Sequence, residues 1–208
     1  MALRAPQFRL YLVSDRKQTH GRDLLWVLEQ ALRGGVKAAQ IREKDLAGGE
    51  LFLLAEKAKL LCVKYGAALF VNDRIDVALA VDADGVQIGK ASIPVTTARK
   101  LLGAEKLIGV STHSLQEAQQ ARRDGADFVL FGPVYSTPSK AEYGSPQGLE
   151  ALVDVTKNVS LPVYAIGGIN SNNVATVKET GVYGVALISA IAAAADPRRS
   201  AEELLDLL

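Results

Sequence analysis

Short apolar runs rich in β-branched and aromatic residues recur along the chain, separated by longer stretches with apolar positions at helical spacing. FRLYLVS (8–14), AAQIRE (38–43), ALFVND (68–73), GVQIG (85–89), LIGVST (107–112), FVLFGPV (128–134), PVYAIGG (162–168) and GVALISA (184–190) read as strands. Between and after them lie segments such as RDLLWVLEQALRGG, GGELFLLAEKAKLLCVKYG, RIDVALAV, SLQEAQQARRDG and a C-terminal AEELLDLL, which read as helices. Glycines 34, 66, 103, 125 and 181 stand where helix C-caps are expected. The strand runs are nearly continuous in apolar character. That pattern predicts a parallel sheet covered on both faces. Eight such βα units within 208 residues sit at the lower size limit of a (β/α)8 barrel. The expected fold class is therefore α/β, a single (β/α)8 TIM-barrel domain over residues 1–208. A doubly wound open sheet is the alternative, but it usually carries a glycine fingerprint after its first strand. Here that position reads SDRKQTHG.

Composition narrows the function classes. Hydrophobic residues make up 49% and charged residues 23%, values typical of globular chains. With 24 basic and 23 acidic residues and no charged block, nothing favours nucleic acid or a membrane surface as partner. One cysteine, Cys62, excludes an intrachain disulfide. Its apolar helical setting reads as buried rather than nucleophilic. One cysteine and two histidines, His20 and His113, make a zinc cage a poor expectation. The apolar stretch near the N-terminus is short and interrupted by arginine, and the expected location is cytoplasmic.

In a barrel of this kind chemistry sits at the C-terminal ends of the strands. The residues there form a set with a theme. Gln40, Arg42 and Lys44 alternate at the end of the second run, so inward-pointing cations would need an anionic partner. A surface array of these cations with Glu43 and Asp45 is the competing reading. Asn72 and Asp73 end the third run. They suit a helix cap, and Asp73 equally suits Mg²⁺ beside a diphosphate. The sixth run opens into FGPVYSTPSKAEYG, where Ser136, Thr137, Ser139 and Lys140 gather donors that a phosphate can use. Gly167-Gly168 and Ser189 follow the seventh and eighth runs, the usual phosphate position of such barrels. His113 follows the fifth run and is read equally well as a neutral-pH acid/base or as a helix N-terminal residue.

QIREKD, LFVNDRIDVALAVDADGV, IGVSTHSLQEA, GADFVLFGPVYSTPSK, AIGGIN and GVALISAI, in that order from Leu10 to about Ile191, resemble the successive motifs of the thiamine phosphate synthase family. The resemblance implies a transferase that joins 4-amino-2-methyl-5-hydroxymethylpyrimidine diphosphate to thiazole phosphate, releasing pyrophosphate. It implies that Gln40, Arg42, Lys44 and Asn72 bind the pyrimidine diphosphate and that Asp73 holds Mg²⁺. Ser111 and Lys140 would contact the pyrimidine and its leaving group, and Thr137, Ser139, Gly168, Ile188 and Ser189 the thiazole phosphate. The partners implied are small molecules, with neither nucleic acid nor membrane, and self-association is left open.

One stretch departs from the family pattern. After the fourth run the family usually reads like DGVHLGQEDLP, whereas this chain has Gln87 for the histidine and Ser92 for the second carboxylate. Those two positions resemble the thiazole tautomerase branch, in which a histidine, here His113, is the acid/base. The retained diphosphate ligands favour the synthase. A phosphate-binding barrel with an accessory role, or an isomerase or lyase acting on phosphosugars, are the remaining alternatives.

Overall fold

The computed structural model describes residues 6–137 and 145–208. Its eight parallel strands close into a barrel in the order β1 to β8, each paired with its sequence neighbours and β8 with β1. The strands are β1 (Leu10–Val13), β2 (Ala38–Ile41), β3 (Ala68–Asn72), β4 (Gly85–Ile88), β5 (Leu107–Thr112), β6 (Phe128–Phe131), β7 (Val163–Ile166) and β8 (Gly184–Leu187). Six of these eight positions are buried along their full length or all but one residue, as runs apolar on both faces require.

The outer layer is α1 (Leu24–Arg33), α2 (Gly48–Tyr65), α3 (Ile75–Ala80), α4 (Val95–Leu102), α5 (Leu115–Arg123), α6 (Gly148–Asn158), α7 (Val174–Glu179), α8 (Ser189–Ala192) and α9 (Pro197–Leu207). A 3-10 turn, Arg16–Gln18, follows β1. That turn and the four-residue α8 were not expected from periodicity, because neither is long enough to show a period. Caps explain several helix starts: Asp23 accepts from the Trp26 amide, Ser114 from the Glu117 amide and Asp196 from the Arg199 amide. Gly66 closes α2 in the left-handed region, whereas Gly34 ends α1 with φ −77°. Gly34 is required for a different reason: a Cβ there would lie 2.4 Å from the Arg198 carbonyl oxygen, so glycine lets α1 and α9 approach.

Two apolar layers result. One lies between strands and helices and includes Leu28, Ile41, Val71, Ile108, Leu152 and Leu204. The other fills the lower lumen with Phe8, Tyr11, Phe70, Phe128 and Tyr164, whose ring centroids lie 5.1–6.3 Å apart. Tyr164 also donates its hydroxyl to the Phe8 carbonyl at 2.7 Å. This aromatic plug closes the bottom of the barrel and leaves the C-terminal rim as the place where a ligand can enter. A cavity of about 670 Å³ around Phe8, Lys37 and Lys106 lies below the plug at the strands' N-terminal ends. Among the described residues no helix is long and apolar enough to cross a membrane.

Candidate active site

The rim is built by two kinds of geometry. On one side, β1 to β4, it is made of side chains. β2 stops at Ile41, and the next residues are held by a short relay rather than by strand alternation. The Arg42 amide donates to Ser14 Oγ at 2.8 Å, and Ser14 Oγ donates to Glu43 Oε1 at 2.6 Å. Glu43 is buried and also accepts from the Arg16 amide and from Arg16 Nη1 at 3.1 Å. Asp45 takes Arg16 at 2.7 Å and Lys17 at 3.0 Å. The Arg16 hydrogen bond, and after it that of Lys17, holds the Asp45 carboxyl down at about 2. The surface array of Arg42 and Lys44 with Glu43 and Asp45 is therefore corrected: these acids are used by Arg16 and Lys17. Among the described residues no carboxylate pairs with Arg42 or Lys44, which leaves two cations facing the cavities at the ends of β2 and β3.

Asn72 and Asp73 do not cap α3. The residue before that helix is Arg74, with no side-chain cap bond. Asp73 instead adopts φ 59°, a left-handed conformation that aspartate tolerates better than most residues, while its amide donates to the Gln87 carbonyl at 2.9 Å. This turns the carboxylate across the rim towards the loop after β4. There Asp73 Oδ1 accepts from Ser92 Oγ and, at 3.3 Å, from the Gly89 amide, while Oδ2 accepts from Asn72 Nδ2 at 2.7 Å. Lys44, Asn72 and Asp73 line one cavity of about 300 Å³.

On the other side, β6 to β8, the rim is made of backbone. The chain after β6 runs on beside β7: the Val134 amide donates to Ile166 O at 2.9 Å and the Tyr135 amide to Gly167 O at 3.0 Å. This carries Thr137 to the β7 and β8 ends, where Thr137, Gly168, Ile188 and Ser189 line a single narrow cleft. Gly168 has φ 67°, and a Cβ there would meet Tyr135 Cβ at 2.7 Å and Ser136 O at 2.8 Å. Only glycine fits both constraints. α8 begins at Ser189, so this cleft has the loop-and-short-helix arrangement that holds phosphate in barrels of this type.

Six further residues complete the account. Gln40 is buried in the lumen and donates Nε2 to Tyr11 Oη at 3.2 Å. Burial, which outweighs that contact, drives the Tyr11 hydroxyl pKa well above its usual value. Ser111, half-buried at the end of β5, accepts from Gln87 Nε2 at 3.1 Å. His113 is turned to the first turn of α5, with Nδ1 3.2 Å from Glu117 Oε2 and its amide donating to the same carboxylate at 2.7 Å. Ser139 and Lys140 lie outside the described residues. Burial pushes the Cys62 thiol up to about 12, which agrees with a packing role. Sequence reasoning missed Glu43 as the anchor of the Arg42 loop, because its partner Ser14 is 29 positions away and no local pattern links them.

The family model described as thiamine monophosphate synthase matches residues 10–191. A curated protein of Geobacter sulfurreducens is 52% identical over 201 residues, covering 97% of this chain and 94% of its own length. The thiamine-phosphate synthase of Clostridium tetani is 43% identical over 195 residues, covering 94% of this chain and 93% of that one. Among solved structures, thiamine phosphate pyrophosphorylase from Pyrococcus furiosus superposes with a TM-score of 0.89 at 39% identity, covering 96% of this chain and 95% of that one.

Proposed function

The chain belongs to the thiamine monophosphate synthase family, and from that premise we propose that it couples 4-amino-2-methyl-5-hydroxymethylpyrimidine diphosphate with thiazole phosphate. The products are thiamine phosphate and pyrophosphate. The observation that carries this reading is the pair of dissimilar anion sites on one rim: two cations after β2 that no carboxylate among the described residues pairs with, and a backbone cleft at the ends of β6 to β8. Two phosphorylated substrates need two such sites, and an isomerisation of one monophosphate needs only the second.

The chemistry follows from that division. The bond between the pyrimidine methylene carbon and the diphosphate oxygen breaks, with its electron pair leaving on pyrophosphate. The thiazole ring nitrogen then donates its lone pair to the methylene carbon. Arg42 and Lys44, with Lys140 by resemblance, neutralise charge that grows on the departing diphosphate, an interaction stronger in the transition state than in the ground state. Thr137, Ser139, Gly168, Ile188 and Ser189 hold the thiazole phosphate so that its nitrogen faces that carbon. Gln40, Asn72 and Ser111 orient the pyrimidine substrate. No residue of the chain has to act as a nucleophile.

The donor set at Asp73 fits Mg²⁺. It offers one carboxylate with a serine hydroxyl oxygen beside it, both hard ligands, while the Asn72 amide turns its nitrogen to the carboxylate as a hydrogen-bond donor. Among the described residues no group of three His, Cys, Asp or Glu could form a closed cage. Mg²⁺ commonly takes one or two carboxylates and fills the rest of its shell with water and substrate phosphate oxygens. Bound there, the ion would supply charge neutralisation on the diphosphate. Asp73 would hold it, and Ser92 would keep the carboxylate aimed at the rim.

We read residues 1–208 as one barrel domain working in the cytoplasm on small molecules. The deciding experiment incubates the purified chain with both substrates and Mg²⁺ and follows pyrophosphate and thiamine phosphate by phosphorus NMR. A parallel sample receives the thiazole carboxylate phosphate. Coupling without tautomerisation is the expected outcome. Tautomerisation without coupling would assign the chain to the other branch.

A further inference from the structure

We propose that Gln87 is a positioning residue for the coupling reaction, fixing the Ser111 hydroxyl against the pyrimidine substrate, and that the bare backbone of Gly109 exists to seat it. The inference rests on the synthase reading above and goes one residue beyond it. Gln87 and Gly109 are register partners on β4 and β5, so both face the lumen. The glutamine amide occupies the volume a Gly109 side chain would need. A Cβ on Gly109 would lie 2.3 Å from Gln87 Oε1 and 2.4 Å from Phe128 Cζ. Gln87 Nε2 donates to Ser111 Oγ at 3.1 Å. A serine hydroxyl has one proton and two lone pairs. With one lone pair taken by Gln87, the Ser111 proton cannot point at that amide nitrogen. It is free to be donated at the rim, where Ser111 is half-buried. An acceptor atom of the pyrimidine substrate is the partner this orientation suits.

The other end of the same amide argues against a filler role. Gln87 Oε1 is buried and has no hydrogen-bond partner among the described residues. An orphaned buried carbonyl is a standing cost. The Phe128 ring shares the space over Gly109 with that amide, so a leucine at position 87 would meet an apolar ring without that cost. A glutamine here loses stability and keeps one directed hydrogen bond, which is the pattern of a residue retained for function rather than for packing.

The test uses the full chain with Gln87→Leu, Gln87→His, Ser111→Ala and the Gln87→Leu/Ser111→Ala double variant. Gln87→Leu is expected to melt no lower than wild type and to lose about tenfold in kcat/KM for the pyrimidine diphosphate, the scale of one hydrogen bond. Its KM for thiazole phosphate should stay within about twofold. Gln87→His, which keeps an N–H donor, should recover most of the loss. The double variant should be no worse than Ser111→Ala alone, because a residue acting through Ser111 has nothing left to act on. If Gln87→Leu does not fold, Gln87→Met replaces it in every arm. Additive losses in the double variant, equal losses on both substrates, or wild-type behaviour in Gln87→Leu overturn the positioning role while the synthase reading stands. A wild-type chain that does not couple the substrates at all overturns both.

Discussion

Across β2 to β4 the rim is made of side chains, whereas across β6 to β8 it is made of main chain. Arg42, Lys44, Asn72 and Asp73 each reach the first region through their own functional group, held by contacts such as Ser14 to the Arg42 amide and Ser92 to Asp73. The second region depends on φ 67° at Gly168, on the 134–135 segment running beside β7, and on where α8 starts. The difference matches the ligands proposed for them. A leaving diphosphate gains charge during the reaction and rewards full positive charges placed nearby. A phosphate that only anchors a substrate keeps its charge throughout, and uniform binding by backbone donors is sufficient.

The sharpest way to break this comparison is to remove one cation from the first region. Arg42→Ala should lower kcat by roughly 100-fold, as loss of a transition-state charge contact commonly does. KM for thiazole phosphate should change little. Arg42→Lys should recover only part of the rate, since a point charge replaces a planar fork. Steady-state kinetics with each substrate varied in turn would decide it. A loss confined to thiazole phosphate KM would mean that the two regions have been assigned the wrong way round.

The second region should fail differently. Gly168→Ala forces a Cβ against Tyr135 and the Ser136 carbonyl in a left-handed conformation. Strain of that kind costs roughly 1–3 kcal/mol, visible as a lower Tm. The cleft should open, and KM for thiazole phosphate should rise by about tenfold with a smaller change in kcat. If kcat falls as far as in Arg42→Ala while KM holds, the backbone cleft takes part in the chemical step and the proposed division is wrong.

How far each region could be read beforehand follows the same line. The side-chain region announced itself through residue identity: Gln40, Arg42, Lys44, Asn72 and Asp73 are conspicuous at strand ends. What stayed hidden there was contact at a distance, as when Glu43 leaves an apparent surface array to be buried by Ser14 and Arg16. Asp73 looked like a cap because its backbone conformation depends on the Gln87 carbonyl of β4, which no local rule contains. The backbone region was legible only by its place in the strand count, since a double glycine is a common turn. The barrel itself was clear because most strands are covered on both faces, which leaves long apolar runs in the chain.

A milder change sharpens the first region from within. Ser92→Asp places a second carboxylate beside Asp73, where Ser92 now donates its hydroxyl. Two carboxylates should hold Mg²⁺ more tightly than one. The expected result is a fall of about threefold or more in the Mg²⁺ concentration for half-maximal coupling, with tighter Mg²⁺ binding by calorimetry in the absence of substrates. Unchanged metal dependence would show that the ion is not held at Asp73.

The smallest effect is expected at His113, which belongs to neither region. Its ring faces Glu117 on α5, and its amide is held by the same carboxylate, so the residue is built into the start of that helix. Coupling by loss of pyrophosphate needs no proton moved by an imidazole, because the thiazole nitrogen attacks through a lone pair it already has. Tautomerisation cannot proceed without moving one. His113→Ala should therefore keep kcat for coupling within about threefold of wild type, and the pH–rate profile between pH 6 and 8 should keep its shape. A collapse of coupling, or a changed pH–rate profile, would make this imidazole a working acid/base and undo the division of the rim into a charged half and a backbone half as the full catalytic apparatus.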